Sequence, residues 1–253
     1  MPARAALPPS SAISHRRLLW PTLLTLAGMA VLLGLGSWQM QRLQWKQGLI
    51  ARIAQRVHGV PVPLVTVLAD PGGYADIEYL HVSATGRFHH DRETYLYASG
   101  KGDWGYDVFT PLELPDGRSI LINRGYIGRQ QLDRASRSAG LTPGAVTLNG
   151  LIRLGPGARP WYIPAGDSAH RTWSWPEIES MAKANAATAN NTITQFYIDA
   201  DATHVPVAPS GGTTNLELPN RHLEYAITWF ALACTLAVIY AVFAFRRLSP
   251  RRG

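Results

Sequence analysis

Two long apolar runs stand near the ends of this 253-residue chain. Leu18 to Ser37 carries no charge, and neither do the twenty residues from Ala226 to Phe245. A bilayer core about 30 Å thick is crossed by about 20 helical residues, so both runs predict membrane-spanning helices. The first is preceded by Arg16 and Arg17 and ends in Gly-Leu-Gly-Ser before Trp38-Gln39, which is not a small-residue cleavage site. An uncleaved helix is therefore expected, with Pro21 in its first turn, where a missing N–H costs little. Beyond the span, Leu43, Ile50, Ile53 and Val57 keep near-helical spacing with basic residues between them. Val-Pro-Val-Pro-Leu at 60–64 ends that helix and reads as an extended edge segment.

From residue 79 the period changes to two. Short strands are predicted over 79–88, 94–100, 104–114, 118–128, 144–154 and 193–200, and Pro115-Asp116-Gly117 makes a hairpin turn. A polar, arginine-rich stretch runs from Gln130 to Gly140. One helix is expected from 176 to about 187, preceded by Ser174 and Trp175, with Pro176 at its first position and Glu177 and Glu179 in its first turn. Residues 204–219 read as a loop back to the membrane. The predicted class is an α+β membrane protein. Two transmembrane helices flank a β-rich domain, a small antiparallel barrel or curled sheet with one helix. The expected boundaries are a basic tail at 1–17, spans at 18–38 and 225–245, a domain at 39–224 and a second basic tail at 246–253.

Charge changes the picture only when it is located. The net +7 equals the seven arginines of the two tails, namely Arg4, Arg16, Arg17, Arg246, Arg247, Arg251 and Arg252. The region between the spans holds 17 basic and 17 acidic residues. This is the positive-inside pattern, not a nucleic-acid footprint, and it predicts both termini in the cytoplasm. Arg42, Lys46, Arg52 and Arg56 compete with that orientation, but the four arginines after the second span outweigh the single Arg221 just before it. The one cysteine, Cys234, lies inside the second span, so neither a disulfide framework nor a cysteine metal site is expected.

Catalytic motifs are absent: no G-x-S-x-G, no H-E-x-x-H and no phosphate-binding glycine loop. Phe88-His89-His90-Asp91-Arg92-Glu93 suggests a metal site, but adjacent strand residues point to opposite faces. Asp103 and Asp107, beside Trp104 and Tyr106, read as surface groups. The membrane-adjacent residues are more informative. Trp38, Arg42 and Trp45 share one helix face; His222, Tyr225, Ala226 and Trp229 share another. An aromatic belt with a snorkelling arginine accounts for all of these except His222. His222 is therefore a ligand candidate. Alternatively, Asn220 as N-cap and Glu224 in the first turn simply start a helix, and His222 hydrogen-bonds to the domain.

Four blocks carry a family resemblance: Gly36-x-Trp38-Gln39-x-x-Arg42; Gly105-Tyr106 with Thr110-Pro111-Leu112; Asn123-Arg124-Gly125; and Asn220-x-His222-x-x-Tyr225-Ala226-x-x-Trp229. In this order, with a span at each end, they resemble the Surfeit locus protein 1 family, assembly factors of haem–copper cytochrome c oxidase. Tyr126 and Gly128 depart from the family's usual Trp and Pro without breaking the pattern. The resemblance implies a non-enzymatic chaperone for subunit I, with that subunit and other assembly factors as partners, and transient binding of haem a near the outer membrane surface. His222 would then reach the haem iron, Arg42 would pair with the propionates, and Trp38, Trp45, Tyr225 and Trp229 would line the porphyrin. Two rivals remain: a subunit scaffold that never touches haem, and a membrane-tethered enzyme or sensor with its ligand in the outer domain. The short first tail favours a bacterial inner membrane with a periplasmic domain.

Overall fold

A computed structural model of the chain describes residues 13–70, 74, 76–99, 103–184, 191–202, 208–214, 216 and 218–249. The first twelve residues with Arg4, the last four with Arg251 and Arg252, the expected end of the 176–187 helix and part of the 204–219 loop lie outside the described residues. The chain forms two compact units, Met1–Ala51 with Glu217–Gly253, and Arg52–Leu216.

The first unit is built from two helices, α1 (Ile13–Val57) and α4 (His222–Leu248). Both are long and apolar enough to cross a membrane. The apolar run and its amphipathic continuation form one unbroken helix, as the periodicity predicts. Pro21 lies inside α1, two turns beyond Ile13 and not in a first turn. The hydroxyls of Thr22 and Thr25 bond carbonyls one turn back, at Leu18 and Pro21. Side-chain contacts pair α1 antiparallel with α4 and the segment before it. Thr22 meets Tyr240, Gly28 faces Leu236, Gly36 faces Phe230, Gln39 meets His222 and Lys46 meets Pro219. Gly36 lets the Phe230 ring approach, because a Cβ there would stand 2.6 Å from that ring and force it to shift.

The second unit is β-rich. Its strands are β1 (Val62–Pro63), β2 (His81–Phe88), β3 (Thr94–Ser99), β4 (Trp104–Glu113), β5 (Ser119–Gly128), β6 (Ala145–Leu154), β7 (Thr172–Trp173) and β8 (Thr192–Ala200). Hydrogen-bonded neighbours run β2–β6–β8–β5–β4, and β4 returns to β2 through Arg87↔Glu113 and Phe88↔Leu112, which closes a five-stranded barrel. The pairings are antiparallel except β5 with β8, and β1 and β7 at the sheet's edges. β4 serves two neighbours. Residues 104–109 carry β3, residues 112–113 join β2, and a register shift between Asp107 and Phe109 marks the change.

The alternation of β5 and β8 sorts two cores. Ile120, Ile122, Phe196 and Ile198 face the barrel interior with Val82, Leu112 and Ile152. Leu121 and Tyr197 face the other way and join Phe109, Trp173, Ile178 and Met181 beneath α3 (Ile178–Lys183). Three local expectations change. Only Val62 and Pro63 of the proline-rich segment are extended; α2 (Leu64–Leu68) coils so that Leu64 and Val67 enter the barrel core. α3 begins two residues after Pro176, because Glu177 is held by Arg159 at 2.7 Å in a non-helical conformation. The 130–140 stretch is not simply polar surface, since Arg137 is buried and forks onto the equally buried Glu93 at 2.6 and 3.2 Å.

Candidate functional site

Spacing along α1 makes two faces of one short segment. Gly36, Gln39 and Leu43 recur at three and four residues, are buried, and form the seam toward α4. Trp38, Arg42 and Trp45 lie about 130° round the helix from that seam, at about 100° of turn per residue. The Arg42 guanidinium stands 5.9 Å from the Trp38 ring centre and 5.3 Å from that of Trp45, a stacked cation between two exposed indoles.

The other candidate residues stand at the start of α4. The first helical residue is His222, and Arg221 occupies the cap position with no side-chain hydrogen bond. Asn220 is therefore not the N-cap; its Oδ1 is buried without a partner. His222 bonds to α1. Its Nδ1 stands 2.7 Å from Oε1 of Gln39, and no bond to its Nε2 is formed by the described residues. Ala226, one turn on, is buried and lets the helices approach; Tyr225 is exposed and Trp229 half-buried. The structure thus brings His222 to Gln39, and Arg42 to Trp38 and Trp45. No hydrogen bond, ion pair or ring contact among the described residues joins Arg42 to His222, Tyr225 or Trp229. Gln39 is the site residue that spacing alone did not single out. The available signal was its place on a seam of small and apolar residues, where an amide needs a partner.

The barrel domain uses its ionisable groups differently. His89 pairs with Glu113 at 2.7 Å and His90 with the Thr142 carbonyl at 3.1 Å, so the two histidines diverge. Among the described residues no group of three or more His, Cys, Asp or Glu is arranged for a metal. Burial alone would raise the Glu93 carboxyl. The neighbouring His90 ring, the Arg137 hydrogen bonds and the charges of Arg137 and Arg124 outweigh it and hold the pKa at about 2. Asp103 is exposed, as expected, but Asp107 is not an ordinary surface group. Burial first, and then the charge of Asp199, push it up to about 6, against the opposing effect of Asn123. A cavity of about 460 Å³ opens beside Asp199, which already accepts from Asn123, Arg153 and Thr214. At its wall His81 sits between the Gly59 carbonyl and the Asp201 carboxylate, at 2.9 and 2.8 Å.

The four sequence blocks thus fall on the helix seam and on the strands that close the barrel. Residues 26–234, which contain all four, match the model of the SURF1 family. The chain belongs to the SURF1 family. Relatives include Surfeit locus protein 1 of Homo sapiens, 33% identical over 225 residues (82% of this chain, 72% of the relative). The mouse protein of that name is 32% identical over 228 residues (83% and 71%). A SURF1-like protein of Monosiga brevicollis is 35% identical over 237 residues (88% and 87%). SURF1 membership makes the chain an assembly factor for cytochrome c oxidase and not an enzyme. Geometry explains two of the family's blocks. Gly36 of the first makes room for the Phe230 ring. In the third, Asn123 bonds Asp199 at 2.9 Å, Arg124 reaches Glu93 and the Gly140 carbonyl, and Gly125 takes φ +105° against the Ser210 carbonyl, a position closed to any Cβ.

Proposed function

We propose that this chain assists the insertion of haem a into subunit I of the oxidase, holding the cofactor at the outer ends of its two membrane helices. The observation that carries this reading is the His222–Gln39 hydrogen bond: it occupies Nδ1 and leaves Nε2 to donate to a metal. Haem supplies an iron that accepts such a nitrogen, an apolar ring and two propionates. The residues present fit all three parts. His222 offers the nitrogen. Trp38, Trp45, Tyr225 and Trp229 offer aromatic faces at or near the surface of the helix pair. Arg42 makes no ion pair among the described residues and suits a carboxylate. The partly unpaired Asn220 adds a free acceptor beside the imidazole in sequence.

Release requires no covalent chemistry. A single imidazole ligand and an exposed cation hold a guest without enclosing it. Subunit I and other assembly factors are the partners of this reading. Its membrane is a bacterial inner membrane, with residues 1–17 and 246–253 cytoplasmic and 39–224 periplasmic between the spans 18–38 and 225–245. The test is the visible spectrum of the detergent-purified protein after co-expression with haem a synthesis. A haem band is expected in the wild type and is lost in His222→Ala. A colourless wild type that still co-purifies with subunit I would overturn haem binding and leave a scaffold.

A further inference from the structure

Gln39 is a buried amide set between the buried Gly36 and Leu43 on the face of α1 that meets α4. Such a group is costly unless it is bonded. Its partner is 183 residues away, the ring of His222, at 2.7 Å through Oε1 and Nδ1. An amide oxygen only accepts, so at this distance the ring nitrogen must carry the proton. The alternative tautomer would set two lone pairs against each other. Protonation at Nδ1 leaves Nε2 as the basic nitrogen of the neutral ring. The seam around this bond is closed: Gly36 and Leu43 on either side of Gln39 are buried, and so is Ala226, one turn beyond His222.

We propose that Gln39 is a positioning residue that holds His222 in its Nδ1-protonated tautomer, so that Nε2 is the nitrogen presented to an iron-bearing macrocycle. The proposal rests on the haem reading of His222 and goes beyond it by naming the residue that prepares the ligand. A carbonyl acceptor on the far nitrogen fixes ring orientation and raises ligand basicity, and losing such a partner typically costs about 10–100-fold in metal affinity. Leucine at position 39 would keep the seam apolar and remove the acceptor. Glutamate would keep an acceptor at the same reach.

The experiment uses the full chain in detergent micelles with ring-¹⁵N histidine, the His222 signal being assigned by its absence in His222→Ala. The expected wild-type pattern is a protonated Nδ1 and a bare Nε2, kept in Gln39→Glu and lost or mixed in Gln39→Leu. Titration of the same samples with ferric haem then reads affinity. Gln39→Leu is expected to weaken binding by about 10–100-fold and to shift the low-spin spectrum, with Gln39→Glu restoring both. A wild-type His222 protonated at Nε2 overturns the proposal. So does a Gln39→Leu variant with unchanged tautomer and affinity while His222→Ala still loses haem, which leaves the haem reading standing. Haem bound equally by wild type and His222→Ala overturns both. Gln39→Glu guards against misfolding: if Gln39→Leu fails to fold, loss of the Nδ1 proton in Gln39→Glu overturns the proposal by itself.

Discussion

The barrel domain and the helix pair handle buried polarity in opposite ways. In the barrel, Glu93 is closed by Arg137 and Arg124, and Asp199 by Asn123, Arg153 and Thr214. These bonds hold loops to strands and leave little for a ligand. In the helix pair, Gln39 meets His222 and Thr22 meets Tyr240, while Nε2 of His222, the Arg42 guanidinium and Oδ1 of Asn220 are left without hydrogen-bonding or ionic partners among the described residues. A structure that satisfies its own charges is a support. A structure that leaves donors and acceptors at the ends of apolar helices is suited to a guest that is apolar in its body and charged at its rim.

That contrast is broken most forcefully in the barrel. Arg137→Met leaves Glu93 buried without its fork and is expected to cost the domain about 3–5 kcal/mol. For a domain of this size that is a fall of roughly 10 °C or more in Tm, read by thermal denaturation. Acid tests the same pair without mutation. The Glu93 pKa is about 2 against a usual 4.5, so its contribution, about 3 kcal/mol, is complete above pH 4.5 and disappears as pH falls toward 2. Asp107 runs the other way. Its pKa of about 6 lies above the usual 3.8, so its contribution is complete below pH 3.8 and is lost as pH rises through 6. Asp107→Asn should therefore stabilise by about 1–2 kcal/mol at pH 7.5, allowing for its partial exposure, and by nothing near pH 4. In the helix pair, Gly36→Val must push the Phe230 ring aside. It should weaken haem retention several-fold with the barrel's melting unchanged. The smallest effect is expected from Arg42→Leu. An exposed charge pair is worth about 0.2–1 kcal/mol, so haem affinity should drop only about 2–5-fold, and less at high salt.

The spans, the six long strands and the hairpin at Pro115-Asp116-Gly117 were legible because each is written as a local period or turn. Barrel closure was not, since two residue pairs at the ends of β2 and β4 decide between a barrel and a curled sheet. Asp107 looked like a surface acid because alternation places it beside exposed aromatics, and the irregularity before Phe109 is invisible in a pattern. Arg137 hid in a polar stretch, its burial set by a glutamate 44 positions earlier. At the candidate site, His222, Arg42 and the aromatics were found because their types are unusual or repeat at helical spacing. Gln39 was passed over, and Asn220 was assigned a cap it does not form. Both depend on how α1 meets α4, which neither segment encodes alone.

The decisive measurement is a titration of ferric haem into the purified full chain, wild type, His222→Ala and Arg137→Met side by side at a temperature where all three are folded, with Tm recorded for each. His222→Ala is expected to lose at least about tenfold in affinity, about 1.4 kcal/mol, at unchanged Tm, while Arg137→Met keeps its affinity and melts early. Affinity lost in Arg137→Met and kept in His222→Ala would contradict this division of labour and move the haem site into the barrel.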